Sequence, residues 1–81
     1  MKMLTKDDLN LMGSAGNIDA LQGLMKKNLY WKEVNITEST DHESRLGKCY
    51  DVANGNGRVK NLVIIYSKKG RWSLYRIESE V

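Results

Sequence analysis

Proline is absent from the sequence, and cysteine and histidine occur once each, as Cys49 and His42. Without proline, every backbone N–H can join a hydrogen-bond ladder. One thiol cannot close an intramolecular disulfide, and one cysteine with one histidine cannot complete a structural zinc site. A disulfide-stapled miniprotein and a zinc finger are therefore excluded, and no metal is expected. Long hydrophobic runs are missing too. The longest, Leu62-Val63-Ile64-Ile65-Tyr66, falls far short of the roughly 20 residues that cross a bilayer as a helix, so no membrane is expected among the partners. The opening residues, Met1-Lys2-Met3-Leu4-Thr5-Lys6-Asp7-Asp8, hold no apolar stretch of the kind a signal peptide needs. The expectation is a cytoplasmic protein, in the host cytoplasm if the chain is phage-encoded.

What remains is a short chain of globular composition. Of its 81 residues, 41% are hydrophobic and 28% charged, enough apolar side chain to offset the entropy of ordering. The length suits one small domain over residues 1–81. A chain this size buries roughly 60% of its unfolded surface, so its stability should be a few kcal/mol. There is room for one small core and one or two binding faces.

Periodicity divides the chain near residue 29. Thr5 is a suitable N-cap with Asp8 three residues on, and Leu4 and Leu9 are spaced as a hydrophobic staple, which predicts a short helix over 5–12. A second helix is predicted over 17–27. Asn17 or Ser14 caps it, Ile18, Leu21, Leu24 and Met25 share one stripe, and Lys26 and Lys27 lie at the negative end of its dipole. Asn28 can take the left-handed conformation that ends a helix. From Tyr30 onward the alternation has period two. Strands are predicted over 29–37, 47–53, 58–66 and 71–78, separated by a polar loop at 37–44 and by turns at Asn54-Gly55-Asn56-Gly57 and Ser67-Lys68-Lys69-Gly70. The expected fold is α+β, with two short N-terminal helices packed on a four-stranded antiparallel β-meander formed by the sheet region 29–78. Leu9, Met12, Ile18, Leu21 and Met25 would cover one sheet face. The other face would be wet, aromatic and basic.

Residues that could carry chemistry are few. Asp41-His42-Glu43-Ser44 places acid, imidazole and hydroxyl side by side, but triads are assembled from separate segments on a rigid scaffold, so this reads as a solvated loop. Cys49 with His42 would need an orienting group and an oxyanion hole, which nothing marks. Cys49 reads instead as a small strand residue. The Gly55-Asn56-Gly57 turn joins two strands and lacks the helix that would receive a phosphate. No catalytic residue, cofactor or metal ligand is expected.

Charge is distributed unevenly. Residues 1–44 hold five basic and seven acidic groups, whereas residues 45–81 hold eight basic and three acidic, giving the net +3. The basic half also contains Tyr50, Tyr66, Trp72 and Tyr75. Cations interleaved with aromatics on a sheet suit a polyanion, because Lys and Arg neutralise phosphates while rings stack on bases. Lys and Arg also guard edge strands against aggregation, which is the competing explanation. The expected working surface is Arg58, Lys60, Lys68, Lys69, Arg71, Trp72, Tyr75 and Arg76, with Tyr66 as a further stacking ring. The expected function is a small non-enzymatic interaction protein, of the phage- or plasmid-type accessory inhibitor or antitoxin kind, that binds a host protein or nucleoprotein through this face. The alternative is an RNA- or DNA-binding module taking single-stranded nucleic acid. A third class, a toxin-type nuclease, would cast Lys60, Arg71, Tyr75 and Arg76 as catalytic groups.

Overall fold

The computed structural model describes residues 2–78. In chain order they form β1 (Lys2–Leu4), a single 3-10 turn (Lys6–Asp8), β2 (Leu9–Ala15), α1 (Ile18–Leu29), β3 (Asn35–Glu38), β4 (His42–Ser44), β5 (Gly47–Asn54), β6 (Gly57–Ser67) and β7 (Trp72–Ile77). The strands make one mixed sheet in the order β1-β4-β5-β6-β7-β2, with β3 also paired to β5. The expected two helices on a four-stranded antiparallel meander are therefore replaced by one helix on a larger sheet. That sheet includes a parallel pair, β1 with β4.

The helix expected over 5–12 is the first correction. Asp8 Oδ2 does accept hydrogen bonds from the Thr5 amide and hydroxyl. These hold the Asp8 carboxyl below its ordinary pKa, the amide bond contributing most. The capped segment is only one turn long, too short to sustain a helix by itself. Beyond it, Leu9 to Ala15 pair antiparallel with β7, with a register shift at Met12. The Leu4–Leu9 spacing still matters, because both side chains enter one apolar cluster. Met12, expected in the core, is exposed.

The helix expected over 17–27 forms as α1. The Asn17 side chain accepts from the Ala20 amide at 2.8 Å, and Leu21 and Met25 are fully buried. Burying side chains of this size contributes about 1.5–3 kcal/mol each. The left-handed residue that ends the helix is Tyr30, at φ 57° and ψ 31°, and not Asn28. Strand structure then begins only at Asn35, later than the expected 29. The expected loop at 37–44 contains β4, in which His42 is buried.

Strands β5, β6 and β7 form two antiparallel hairpins through the Asn54–Gly57 and Ser67–Gly70 turns. Side chains along β6 alternate between two cores. Leu62 and Ile64 join Leu21, Met25, Val52 and Leu74 on the helix side. Val63 and Ile65 join Leu4 and Cys49 on the other, and they are 0% and 2% exposed. The open, wet face expected opposite the helix is therefore closed.

Chain connectivity explains the closure. The sheet's two edge strands, β1 and β2, are joined by Thr5–Asp8 alone. Five strand spacings in a flat sheet would separate them by about 24 Å. The five residue steps from Leu4 to Leu9 reach about 17 Å even when fully extended. The sheet must curl, and the curl encloses Val63, Ile65 and Cys49. Among the described residues, no helix is long and apolar enough to cross a membrane.

Candidate functional site

The β6–β7 turn and the β4–β5 turn lie at the same end of the sheet, because Gly47 pairs with Ser67 and Ser44 pairs with Gly47. Between them is an open cleft of about 580 Å³, lined by Arg45, Lys48, Tyr66 and Lys68 with Ser44, Gly47 and Ser67. The lining carries three cations and no acid. Lys48 Nζ lies 3.2 Å from Glu38 Oε1, an exposed pair of the kind that contributes little and exchanges readily. The same ammonium sits 6.0 Å from the centroid of the Tyr50 ring.

Gly47 makes this geometry possible. A Cβ there would lie 2.1 Å from the Tyr66 carbonyl oxygen, so no side chain fits where β5 begins against β6. The Tyr66 ring is 38% exposed and packs on Trp72 with centroids 4.4 Å apart and planes tilted by 40°. Trp72 in turn contacts Tyr50 at 5.3 Å. Tyr66 is thus a ring held from one side and open on the other, beside three cations.

The residues expected at the working surface are not gathered on one face. Lys68 lines the cleft, and Lys69 and Arg71 belong to the same turn or its border. Arg71 Nε donates to Ser14 Oγ at 3.0 Å, which ties the turn to β2. Trp72 supports the Tyr66 ring, but it is also packed against the helix-side core. Tyr75 packs into the opposite core. Arg76 pairs with Glu78 at 2.8 Å. Arg58 lies at the far end of β6, ten residue steps from Lys68. It donates to Asp41 and approaches Asp51 at 3.5 Å. The Arg58 hydrogen bond and charge hold the Asp41 carboxyl below its ordinary pKa. Lys60 is exposed in a stretch of β6 that bulges away from β5, where the register changes around Val52.

Arg45 and Lys48 were not singled out by sequence reasoning, although both belong to the basic half. The signal available was the short turn Ser44-Arg45-Leu46-Gly47. Its glycine marks a hairpin that folds Arg45 back beside Lys48.

The Asp41–Ser44 segment does not converge. Asp41 turns to Arg58, Ser44 Oγ accepts from the Leu46 amide at 3.2 Å, and Glu43 is exposed. His42 and Cys49 both line a smaller cleft of about 180 Å³. The Cys49 thiol is pushed up to about 11, by burial first and then by the negative charges of Asp51 and Glu43. A thiol so shifted is protonated at neutral pH and is a poor nucleophile. Among the described residues, no group of three or more His, Cys, Asp or Glu side chains is placed to hold a metal ion.

A second cleft, of about 350 Å³, lies at the other end of β5 and β6. It is lined by Tyr30, Trp31, Lys32 and Glu33 from the segment after α1, and by the Asn54–Asn56 turn. Tyr30 is 89% exposed. A non-glycine residue in the left-handed region costs roughly 1–2 kcal/mol, and glycine or asparagine is the usual occupant at such a helix end. Comparison with known proteins finds no matching family model, curated protein or solved structure.

Proposed function

We propose that the protein is a non-catalytic binding protein that takes single-stranded nucleic acid at the cleft between the β4–β5 and β6–β7 turns. The observation that carries this reading is the pairing of an acid-free lining, Arg45, Lys48 and Lys68, with a half-exposed Tyr66 ring braced by Trp72. Three cations alone would suit any acidic surface, including that of a protein partner. The ring favours nucleic acid, because an unstacked base offers a flat face for it and an acidic protein surface does not. The high thiol pKa of Cys49 and the dispersal of the Asp41–Ser44 side chains support binding over nucleophilic chemistry.

The test is a fluorescence-anisotropy titration of labelled oligo(U) and oligo(dT) against the wild type, Lys48→Glu/Lys68→Glu and Tyr66→Leu over a range of salt. Three phosphate contacts give a log–log salt slope of about −2, at about −0.7 per contact on a single strand. Charge reversal should abolish binding. Loss of the ring should cost about 1–3 kcal/mol. Absence of binding at low salt, or affinity indifferent to charge reversal, would reject the proposal. A partner acidic protein that binds through the same cations would be indifferent to Tyr66→Leu.

A further inference from the structure

The cleft at Tyr30 has a different chemistry from the basic one. Its lining carries one cation, Lys32, and one anion, Glu33, so it offers no net charge to attract or repel an ion. Its polar groups are mixed. Lys32 donates, Glu33 accepts, and the Asn54 and Asn56 amides can do both. Asn54 Oδ1 accepts the Asn56 amide N–H at 2.8 Å. That bond orients the Asn54 side chain and leaves its NH₂ donors for a ligand. Against these groups stands the Tyr30 ring, 89% exposed.

Tyr30 is placed where its ring does not serve folding. The backbone is left-handed at φ 57°, where glycine or asparagine would be less strained. The ring buries almost none of its surface against the rest of the chain. Trp31, its neighbour, does pack on the helix-side core and anchors the segment. The arrangement is an outward ring on a fixed base, lining one cleft of about 350 Å³ together with Glu33, Asn54 and Asn56. Ligand sites of this size combine an apolar wall with a few oriented polar groups.

We propose that this cleft binds a neutral saccharide. A sugar ring has a C–H face that covers an aromatic ring, and hydroxyls that both donate and accept around its rim. Both are needed to satisfy Tyr30 together with Glu33, Asn54 and Asn56. An anionic ligand would gain nothing from a lining of zero net charge. A purely apolar one would leave the amides and carboxylate desolvated without partners, which opposes binding. The site is independent of the basic cleft.

The experiment is an amide chemical-shift titration of the full chain with cellotetraose, chitotetraose and maltotetraose at millimolar concentrations, with Tyr30→Gly and Tyr30→Asn as variants. The expected result is saturable shifts for at least one of the three, confined to residues 30–33 and 54–56 and insensitive to added salt. Either substitution should weaken binding about tenfold, the scale of a lost aromatic contact. Neither should lower the melting temperature, since both residues accept the left-handed backbone. No saturable shifts with any of the three sugars would overturn the proposal. So would shifts centred elsewhere, or unchanged affinity in both variants. A lower melting temperature in both variants would show that the ring packs against the fold, and would also refute it.

Discussion

The two clefts stand at opposite ends of the same pair of strands. One opens where Gly47 meets Ser67, the other where Asn54 turns to Gly57. At the first end, two turns bring Arg45, Lys48 and Lys68 together in one lining, with Glu38 beside Lys48 at its border. At the second, the segment leaving α1 crosses the β5–β6 turn and sets Lys32 and Glu33 side by side. Each has an aromatic residue, but the support differs. Tyr66 is braced by Trp72, whereas Tyr30 stands out at a strained helix end. The strands therefore separate the two clefts, each of which is built from turns and loops at one end of the sheet. Charge follows the same division. At the end of β6 away from the basic cleft, Arg58 is engaged by Asp41 and Asp51.

Substitution at the glycines should break this comparison most sharply. Gly47→Ala puts a Cβ 2.1 Å from the Tyr66 carbonyl oxygen. It should cost about 3 kcal/mol or more, comparable with the whole stability of so small a domain. At the other end, a Cβ at Gly55 would lie 3.5 Å from Glu33 Oε2, an ordinary contact. Gly55→Ala should change stability by less than about 1 kcal/mol. Thermal melts of the two variants make the comparison, and equal melting temperatures would show that the basic end does not depend on close backbone approach.

Arg58 sharpens the contrast between structural and binding cations. Arg58→Ala should lower stability by about 1 kcal/mol, because its contact with the half-buried Asp51 is lost. Oligonucleotide affinity should not change at about 0.1 M salt, where charges beyond about 10 Å are screened. Lys68→Ala should do the reverse. Urea unfolding paired with anisotropy reads both effects, and loss of affinity in Arg58→Ala would mean that the ligand spans the length of β6.

A pH-dependent effect concerns Cys49, buried in the apolar cluster of Leu4, Val63 and Ile65. Folding raises the Cys49 thiol from an ordinary 9.0 to about 11. The unfolded chain therefore releases this proton first as pH rises. The stability linked to it is complete below about pH 9 and is lost between about pH 9 and 11. The stability difference between the wild type and Cys49→Ala should shrink over that interval. A difference constant with pH would show that the thiol is not shifted by folding.

Parts of the candidate site were legible because they are local. The basic excess after residue 44 pointed to Lys68 and Lys69, and the turn signals placed both in a hairpin. The neutral cleft was not legible. Its two halves come from residues 30–33 and 54–56, and neither stretch has a periodicity or charge pattern that announces the other. The exposure of Tyr30 depends on where α1 ends. Asn28 was the residue expected in the left-handed position, and the packing of Leu29 against the core carries the helix past it to Tyr30.

By itself the sequence determined the elements whose stabilising contacts lie within a few residues. A polar cap at Ser14 or Asn17 opens α1, Leu21 and Met25 recur on its inner face, and Asn54–Gly57 turns one strand into the next. It also placed Leu62 to Tyr66 in a strand, as the period-two pattern after Tyr30 predicts. Tertiary structure decided the identity of Leu9–Ala15. Its Leu9-Asn10-Leu11-Met12 stretch suits either a helical turn or a strand, and the open edge of β7 selected the strand by supplying backbone partners about 60 residues away. It likewise decided that β1 and β4 would pair in parallel and that the sheet would close over Val63 and Ile65. Hydrogen-bond ladders join residues distant in the chain, and their formation depends on which edge is left unpaired once the other strands have assembled. No window of local sequence carries that information.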